Sequence, residues 1–199
     1  MNLPNRLTIL RMILIPFVLL FMLPLPFMPL TWNYFIYRWG MLLALLFFVA
    51  ASVTDYLDGH IARSQNIVSN FGKFLDPIAD KLLVLSVFMA FIELGRISTW
   101  VLVIILFREL LVTGIRLLAA EDQVVVAARM PGKIKTVSQM CAIIFMMLEL
   151  ALNRILNLPW LGTGLHILGD LALIFSIVMS AYSAWDYCHR NRQVFAKGR

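Results

Sequence analysis

Charge is scarce in this sequence. Only 14% of the 199 residues are Asp, Glu, Lys or Arg, while 61% are hydrophobic; an ordinary soluble domain is about a quarter charged. Polar surface is too limited to cover a water-soluble globule of this size, which excludes both a soluble enzyme and a disordered chain. Cysteine is nearly absent. Cys141 and Cys188 form neither a CxxC nor a metal-ligand pattern, so they read as reduced thiols in the core or toward lipid. There is no internal repeat, no low-complexity segment and no small-residue cleavage site after the apolar N-terminal run, which therefore reads as an uncleaved first span. The formal charge of +6 points to basic groups on one side of a membrane and to anionic ligands, with no nucleic-acid partner.

What the sequence does contain is a succession of apolar runs. Only 12–37 exceeds 18 residues without a charge. Elsewhere charges sit inside the runs, and such groups at bilayer depth line polar cavities because exposing them to hydrocarbon costs about 2.5–3.5 kcal/mol. Allowing for them, the periodicity and turn signals predict an all-α integral membrane protein, one membrane-embedded domain over 1–199, with six transmembrane helices near 7–23, 37–63, 71–94, 98–119, 133–152 and 162–187. Pro24, Pro26 and Pro29 end the first helix, Gly95 and Ser98 mark one turn, and Asn157, Leu158, Pro159 and Gly162 mark the last. Arg6, Arg11, Arg63, Lys73, Arg116, Lys133 and the C-terminal Arg190, Arg192, Lys197 and Arg199 gather on one side, against Arg38, Arg96 and Arg154 on the other. That asymmetry predicts a multi-pass protein with both termini cytoplasmic, Trp32, Tyr34, Trp39, Trp100 and Trp160 near the opposite face, and Arg6 and Arg11 snorkelling from the first helix.

The chemistry concentrates in two short segments. Asp55 and Asp58 stand three apart and Asp76 and Asp80 four apart, so each pair shares one helix face. The connection between the segments is short enough to make the two helices antiparallel neighbours, which lets the pairs converge near the cytoplasmic side. Four converging carboxylates repel unless protons or cations neutralise them. Oxygen donors without His or Cys select hard divalent ions, Mg²⁺ or Mn²⁺, one or a pair. Gly59, Ala62 and Gly72 on or beside these faces leave room for a flat ligand or for close helix packing, and Arg63 offers a fork of donors for phosphate.

This pattern, D-x-x-D-G-x-x-A-R, eight residues, then G-x-x-x-D-x-x-x-D, resembles that of the CDP-alcohol phosphatidyltransferases. Asp55, Asp58, Gly59, Ala62, Arg63, Gly72, Asp76 and Asp80 fill every fixed position. The resemblance implies that the phosphatidyl group of CDP-diacylglycerol passes to an alcohol while CMP leaves, in the bacterial inner membrane with the active site facing the cytoplasm. It implies that Asp55, Asp58, Asp76 and Asp80 hold the metal, two ions in all, with Asp80 also the base. It places the donor against Asp55, Asp58, Gly59, Ala62, Arg63, Gly72 and Asp76, and it makes a homodimer the expected assembly. Leu3-Pro4-Asn5-Arg6-Leu7-Thr8 with Arg11, and Phe107-Arg108-Glu109 with Gly114-Ile115-Arg116, look most like bacterial members that use sn-glycerol 3-phosphate.

A phosphorylated acceptor needs cations at membrane depth. Arg108 and Arg116 are eight apart on nearly one face, Lys133 and Lys135 open the next helix, and Lys81 follows the proposed base. Of these, Lys81, Arg108, Arg116 and Lys135 are the candidates for the acceptor phosphate, while positive-inside bias accounts for Lys133 and an ion pair with Glu109 is the structural alternative for Arg108. The alternatives in function are another acceptor (inositol phosphate, serine or phosphatidylglycerol) or a cation transporter. His166 and Asp170, four apart, read as a structural pair near the far side, and Glu149 as a helix-end group, solvated or paired.

Overall fold

The computed structural model describes residues 3–65, 70–121, 130–156 and 159–190; side chains at 3–7, 55–65, 70–77, 80, 116–121, 131, 159 and 190 are outside that description. Among the described residues there is no strand. The helices are α1 (Leu3–Met22), α2 (Leu30–Phe35), α3 (Met41–Gln65), α4 (Asn70–Glu93), α5 (Thr99–Glu121), α6 (Met130–Leu156) and α7 (Pro159–Arg190). A π-helical turn, Ile36–Gly40, joins α2 to α3 without a break. Leu30–Thr54, Gly132–Leu156 and Trp160–His189 are each long and apolar enough to cross a membrane. The described residues are therefore helical apart from turns, and three of the helices have the length and apolar composition of membrane spans.

The ends follow local chemistry. Gly95 takes a positive φ of 70°. Its N–H donates to Ile92 O at 2.9 Å and that of Arg96 to Phe91 O at 2.8 Å, the paired bonds of a glycine-terminated helix. Ser98 then caps α5: its Oγ accepts from Trp100 N at 3.4 Å. Two expectations need correction. Gly162 is not a turn residue but lies inside α7, which begins at Pro159; the Asn153 side chain lies so close that a Cβ at Gly162 would collide with it. The proline-bearing stretch after α1 does not stay irregular as far as residue 36, because Pro29 caps α2 and the helix then runs on.

Packing is organised by heptad-like stripes. Thr8, Arg11, Ile15, Val18 and Met22 are buried along α1; Met41, Ala44, Phe48 and Ala51 along α3; Ala79, Leu83, Val87 and Ala90 along α4. One core cluster draws on α1, α3, α4, α5, α6 and α7. Phe17 and Phe21 of α1 stack on Phe47 of α3 with centroids 5.9 and 5.4 Å apart. α6 and α7 pack as an antiparallel hairpin, with Asn153 against Gly162, His166 against Glu149 and Met146 against Gly169. α7 buries Ser176, Ser180 and Ser183, small residues that permit close approach between membrane helices. Its other face, Leu171, Ile174, Val178 and Trp185, is exposed, as a lipid-facing surface would be.

Arg11 departs from expectation. It is 1% exposed rather than snorkelling, because α1 packs against both α3 and α4 and residue 11 lies on the stripe that faces them.

Candidate active site

The buried stripes of α3 and α4 lead directly to the acidic motif. Asp55 and Asp58 fall seven residues beyond Phe48 and Ala51, and Asp76 and Asp80 seven residues before Leu83 and Val87. Seven residues return within about 20° of the same direction on a helix. All four reference residues are 0–2% exposed. The aspartate positions therefore continue, in register, the stripes that form the common core. Ala62 extends the α3 stripe by another seven residues, and Gly72 stands seven before buried Ala79. The side chains of Asp55, Asp58, Gly59, Ala62, Arg63, Gly72, Asp76 and Asp80 lie outside the described residues, as do those of Arg116 and His60. Among the described residues no group of three or more His, Cys, Asp or Glu is placed to hold a metal. The donor set in register at the motif is all carboxylate, which fits a hard divalent ion.

Three of the four expected acceptor cations have described side chains, and the structure links them. Lys135 is 3% exposed and donates to Glu109 Oε1. Arg108 Nη1 reaches the same oxygen at 3.2 Å, and its Nη2 donates to Ser183 Oγ at 2.7 Å. Lys81 Nζ donates to Thr113 Oγ1 at 2.5 Å, and that hydroxyl donates to the Glu109 carbonyl at 2.7 Å. α5 thus connects a cation from α4, its own Arg108 and a cation from α6. Lys133, two positions from Lys135, is exposed. Extending the α6–α7 register brings Ser180 to the level of Lys135 and Ser183 to that of Gly132, where a Cβ would touch Arg108 Nη2. This end of the hairpin is a buried polar seam.

A second polar cluster occupies the other end. Arg96 Nε pairs with Glu149 Oε2 at 2.9 Å and Arg96 Nη1 with Asp170 Oδ1 at 2.8 Å. His166 Nδ1 meets Glu149 Oε1 at 2.9 Å, and its Nε2 stands 3.4 Å from Asp170 Oδ2. The expected His166–Asp170 pair is part of this larger staple. Glu149, read as a helix-end group, lies seven residues inside α6 and is 5% exposed; Arg96 and His166 supply the partners that permit its burial. Arg154 lies over the Tyr37 ring at this same end, 5.0 Å from its centroid.

Sequence reasoning missed buried Arg11 and the role of Ser183. The 8, 11, 15, 18, 22 spacing was a usable signal for Arg11. Ser183 gave none, since its contact with Arg108 spans 75 positions.

Comparison with known proteins agrees with the motif. The profile of the CDP-alcohol phosphatidyltransferase family matches residues 1–183. The CDP-diacylglycerol–glycerol-3-phosphate 3-phosphatidyltransferase of Bacillus subtilis (strain 168) is 37% identical over 202 residues, covering 96% of this chain and 95% of that protein. The Rickettsia typhi protein of the same name is 36% identical, covering 94% and 97%, and that of Escherichia coli (strain K12) 37% identical, covering 73% and 76%. A family profile over residues 1–183 and similarity along nearly the whole length lead to one conclusion: the chain belongs to the CDP-alcohol phosphatidyltransferase family.

Proposed function

We propose that the protein transfers the phosphatidyl group of CDP-diacylglycerol to sn-glycerol 3-phosphate, giving phosphatidylglycerophosphate and CMP. The observation that carries this reading is the similarity, over nearly the whole chain, to relatives named for this transfer; the spacing of the motif aspartates from the buried residues of α3 and α4 supports it. The names and coverage of the relatives support the choice of substrates. On this reading all six long helices cross the inner membrane, both termini and the site face the cytoplasm, and two copies of the single domain form a homodimer.

Asp55, Asp58, Asp76 and Asp80 would hold Mg²⁺ or Mn²⁺, two ions in all, which when bound would neutralise charge on the pyrophosphate. Gly59, Ala62 and Gly72 leave space for the cytidine, and Arg63 binds the donor's phosphates. Lys81, Arg108, Arg116 and Lys135 hold the acceptor phosphate. Asp80 takes the proton of the acceptor hydroxyl as its oxygen attacks the phosphorus bearing diacylglycerol. A new P–O bond forms there, the pyrophosphate P–O bond breaks, and CMP departs.

A cation-transport reading requires acidic groups available through the depth of the membrane. Away from the motif, Glu149 and Asp170 are engaged by Arg96, which disfavours it. The test is CMP release by purified protein given CDP-diacylglycerol, Mg²⁺ or Mn²⁺, and a panel of alcohols. Release driven by sn-glycerol 3-phosphate is expected, with loss in EDTA. Equal release with inositol phosphate, serine and phosphatidylglycerol would overturn the acceptor assignment, and none with any alcohol would overturn the activity.

A further inference from the structure

Glu109 has no task in the transfer just outlined, yet it is the side chain on which the basic seam is built. We propose that Glu109 is a positioning residue for the acceptor phosphate, holding Arg108 and Lys135 together so that their remaining donors converge on it. This inference rests on the reading of those two residues as phosphate-binding cations.

The argument begins with repulsion. Arg108 and Lys135 come from different helices, with side chains 11% and 3% exposed. Two positive charges so enclosed drive each other apart, since little water screens them. One carboxylate oxygen, Glu109 Oε1, accepts from both. Ser183 Oγ accepts from Arg108 Nη2 at 2.7 Å and fixes the plane of the guanidinium from α7. The Glu109 carbonyl accepts from Thr113, whose hydroxyl accepts from Lys81, so the residue's main chain orders the third cation as its side chain orders the other two.

Charge points the same way. Among the described residues Lys81, Arg108 and Lys135 gather around Glu109, a grouping of cations suited to a phosphate monoester near its dianionic form at neutral pH. Without the carboxylate Arg108 and Lys135 lose the oxygen they share and with it the contact that holds them in one place before the ligand arrives. Glu109 is anchored to the cations and not to the reacting atoms, so its removal acts on acceptor binding and spares the donor.

The experiment measures KM separately for sn-glycerol 3-phosphate and for CDP-diacylglycerol, in mixed micelles with Mg²⁺, for wild type, E109Q, E109D, R108A and K135M. E109Q is expected to raise the acceptor KM about tenfold with the donor KM within about twofold, and E109D, which keeps the charge, to recover most of the loss. A general folding defect would lower the amount of active enzyme without this split. An unchanged acceptor KM in E109Q, while R108A and K135M raise it, overturns the role of Glu109 alone; a fall overturns it too, because the carboxylate would then be competing with the phosphate. If R108A and K135M also leave the acceptor KM unchanged, the acceptor-site reading itself fails. Should E109Q not accumulate in membranes, E109Q/K135M removes both members of the pair. Because Arg108 still loses its partner in that double variant, the acceptor KM is expected to exceed that of K135M, but by clearly less than tenfold; no rise, or a full tenfold rise, would refute the coupling.

Discussion

Replacing Arg96 by Met isolates the staple at the far end of the bundle. Arg96 holds Glu149 at 2.9 Å and Asp170 at 2.8 Å, but the two carboxylates differ in setting: their side chains are 7% and 42% exposed. Removing one partner of a buried pair costs about 3–5 kcal/mol, because a charge is left stranded. Glu149 keeps His166 as a neighbour at 2.9 Å, so R96M is expected near the lower bound, about 3 kcal/mol. D170N breaks a half-solvated contact and should cost about 0–1 kcal/mol. The double variant R96M/E149Q removes the stranded charge and should lie within about 1 kcal/mol of wild type, a coupling of about 2 kcal/mol or more. Reversible unfolding in mixed micelles with increasing SDS supplies these values. Transfer per folded molecule should stay within about twofold of wild type, since Glu149 and Lys135 are 14 residues apart on α6 and so about 21 Å apart along its axis. Additive costs in the cycle, or equal costs for R96M and D170N, would refute the burial argument.

Asp80→Asn should reduce CMP release about a thousandfold, within the range for losing a general base, while labelled CDP-diacylglycerol still binds; normal turnover would remove the base assignment. Gly162→Ala should change the stability of the α6–α7 hairpin by no more than about 1 kcal/mol, since its methyl group meets only the end of the Asn153 side chain and Ala is the better helix former by about 0.5–1 kcal/mol; G162A/N153A, with that contact removed, should be the more stable of the two in the same unfolding assay. One Ala inserted after Ser52 should turn Asp55 and Asp58 by about 100° away from the Met41–Ala51 stripe. Membrane insertion should survive and transfer should be lost, and wild-type rates in that variant would show that the register is irrelevant.

The helices were legible because two signals agreed: apolar periodicity marked the bodies, and Gly95, Ser98 and the Pro24–Pro29 cluster marked the ends. The turn at Gly95 shows why this works, since its positive φ is a local demand that the sequence meets with the residue suited to it. Gly162 shows where it fails. A glycine that makes room for Asn153 is indistinguishable in sequence from one that breaks a helix, because the reason lies on the neighbouring helix. The candidate site divides in the same way. The aspartate motif is local, within two helices joined by a short connection, and its spacing was readable. The basic seam is assembled from α4, α5, α6 and α7, so which lysine turns inward could be settled only by packing: Lys135 is buried and Lys133 exposed.

The two ends of the bundle differ in how completely their charges are matched. At the far end Arg96 is spent on Glu149, Asp170 and the His166 carbonyl, so that cluster holds helices and has little left for a ligand. At the other end, on the proposed reading, charges of one sign are grouped together. Among the described residues the seam gathers three cations around Glu109, and the proposed donor site would group four aspartates with Arg63. These opposite groupings suit the two proposed substrates. A phosphate monoester needs excess positive charge, and a pyrophosphate bound through divalent ions needs excess negative charge to retain those ions. If both sites stood equally balanced when empty, each would have to break its own ion pairs before binding. Grouping like charges in this way, restrained by Glu109 on one side and on the proposed reading by divalent ions on the other, would let the ligands themselves complete the electrostatics of the fold.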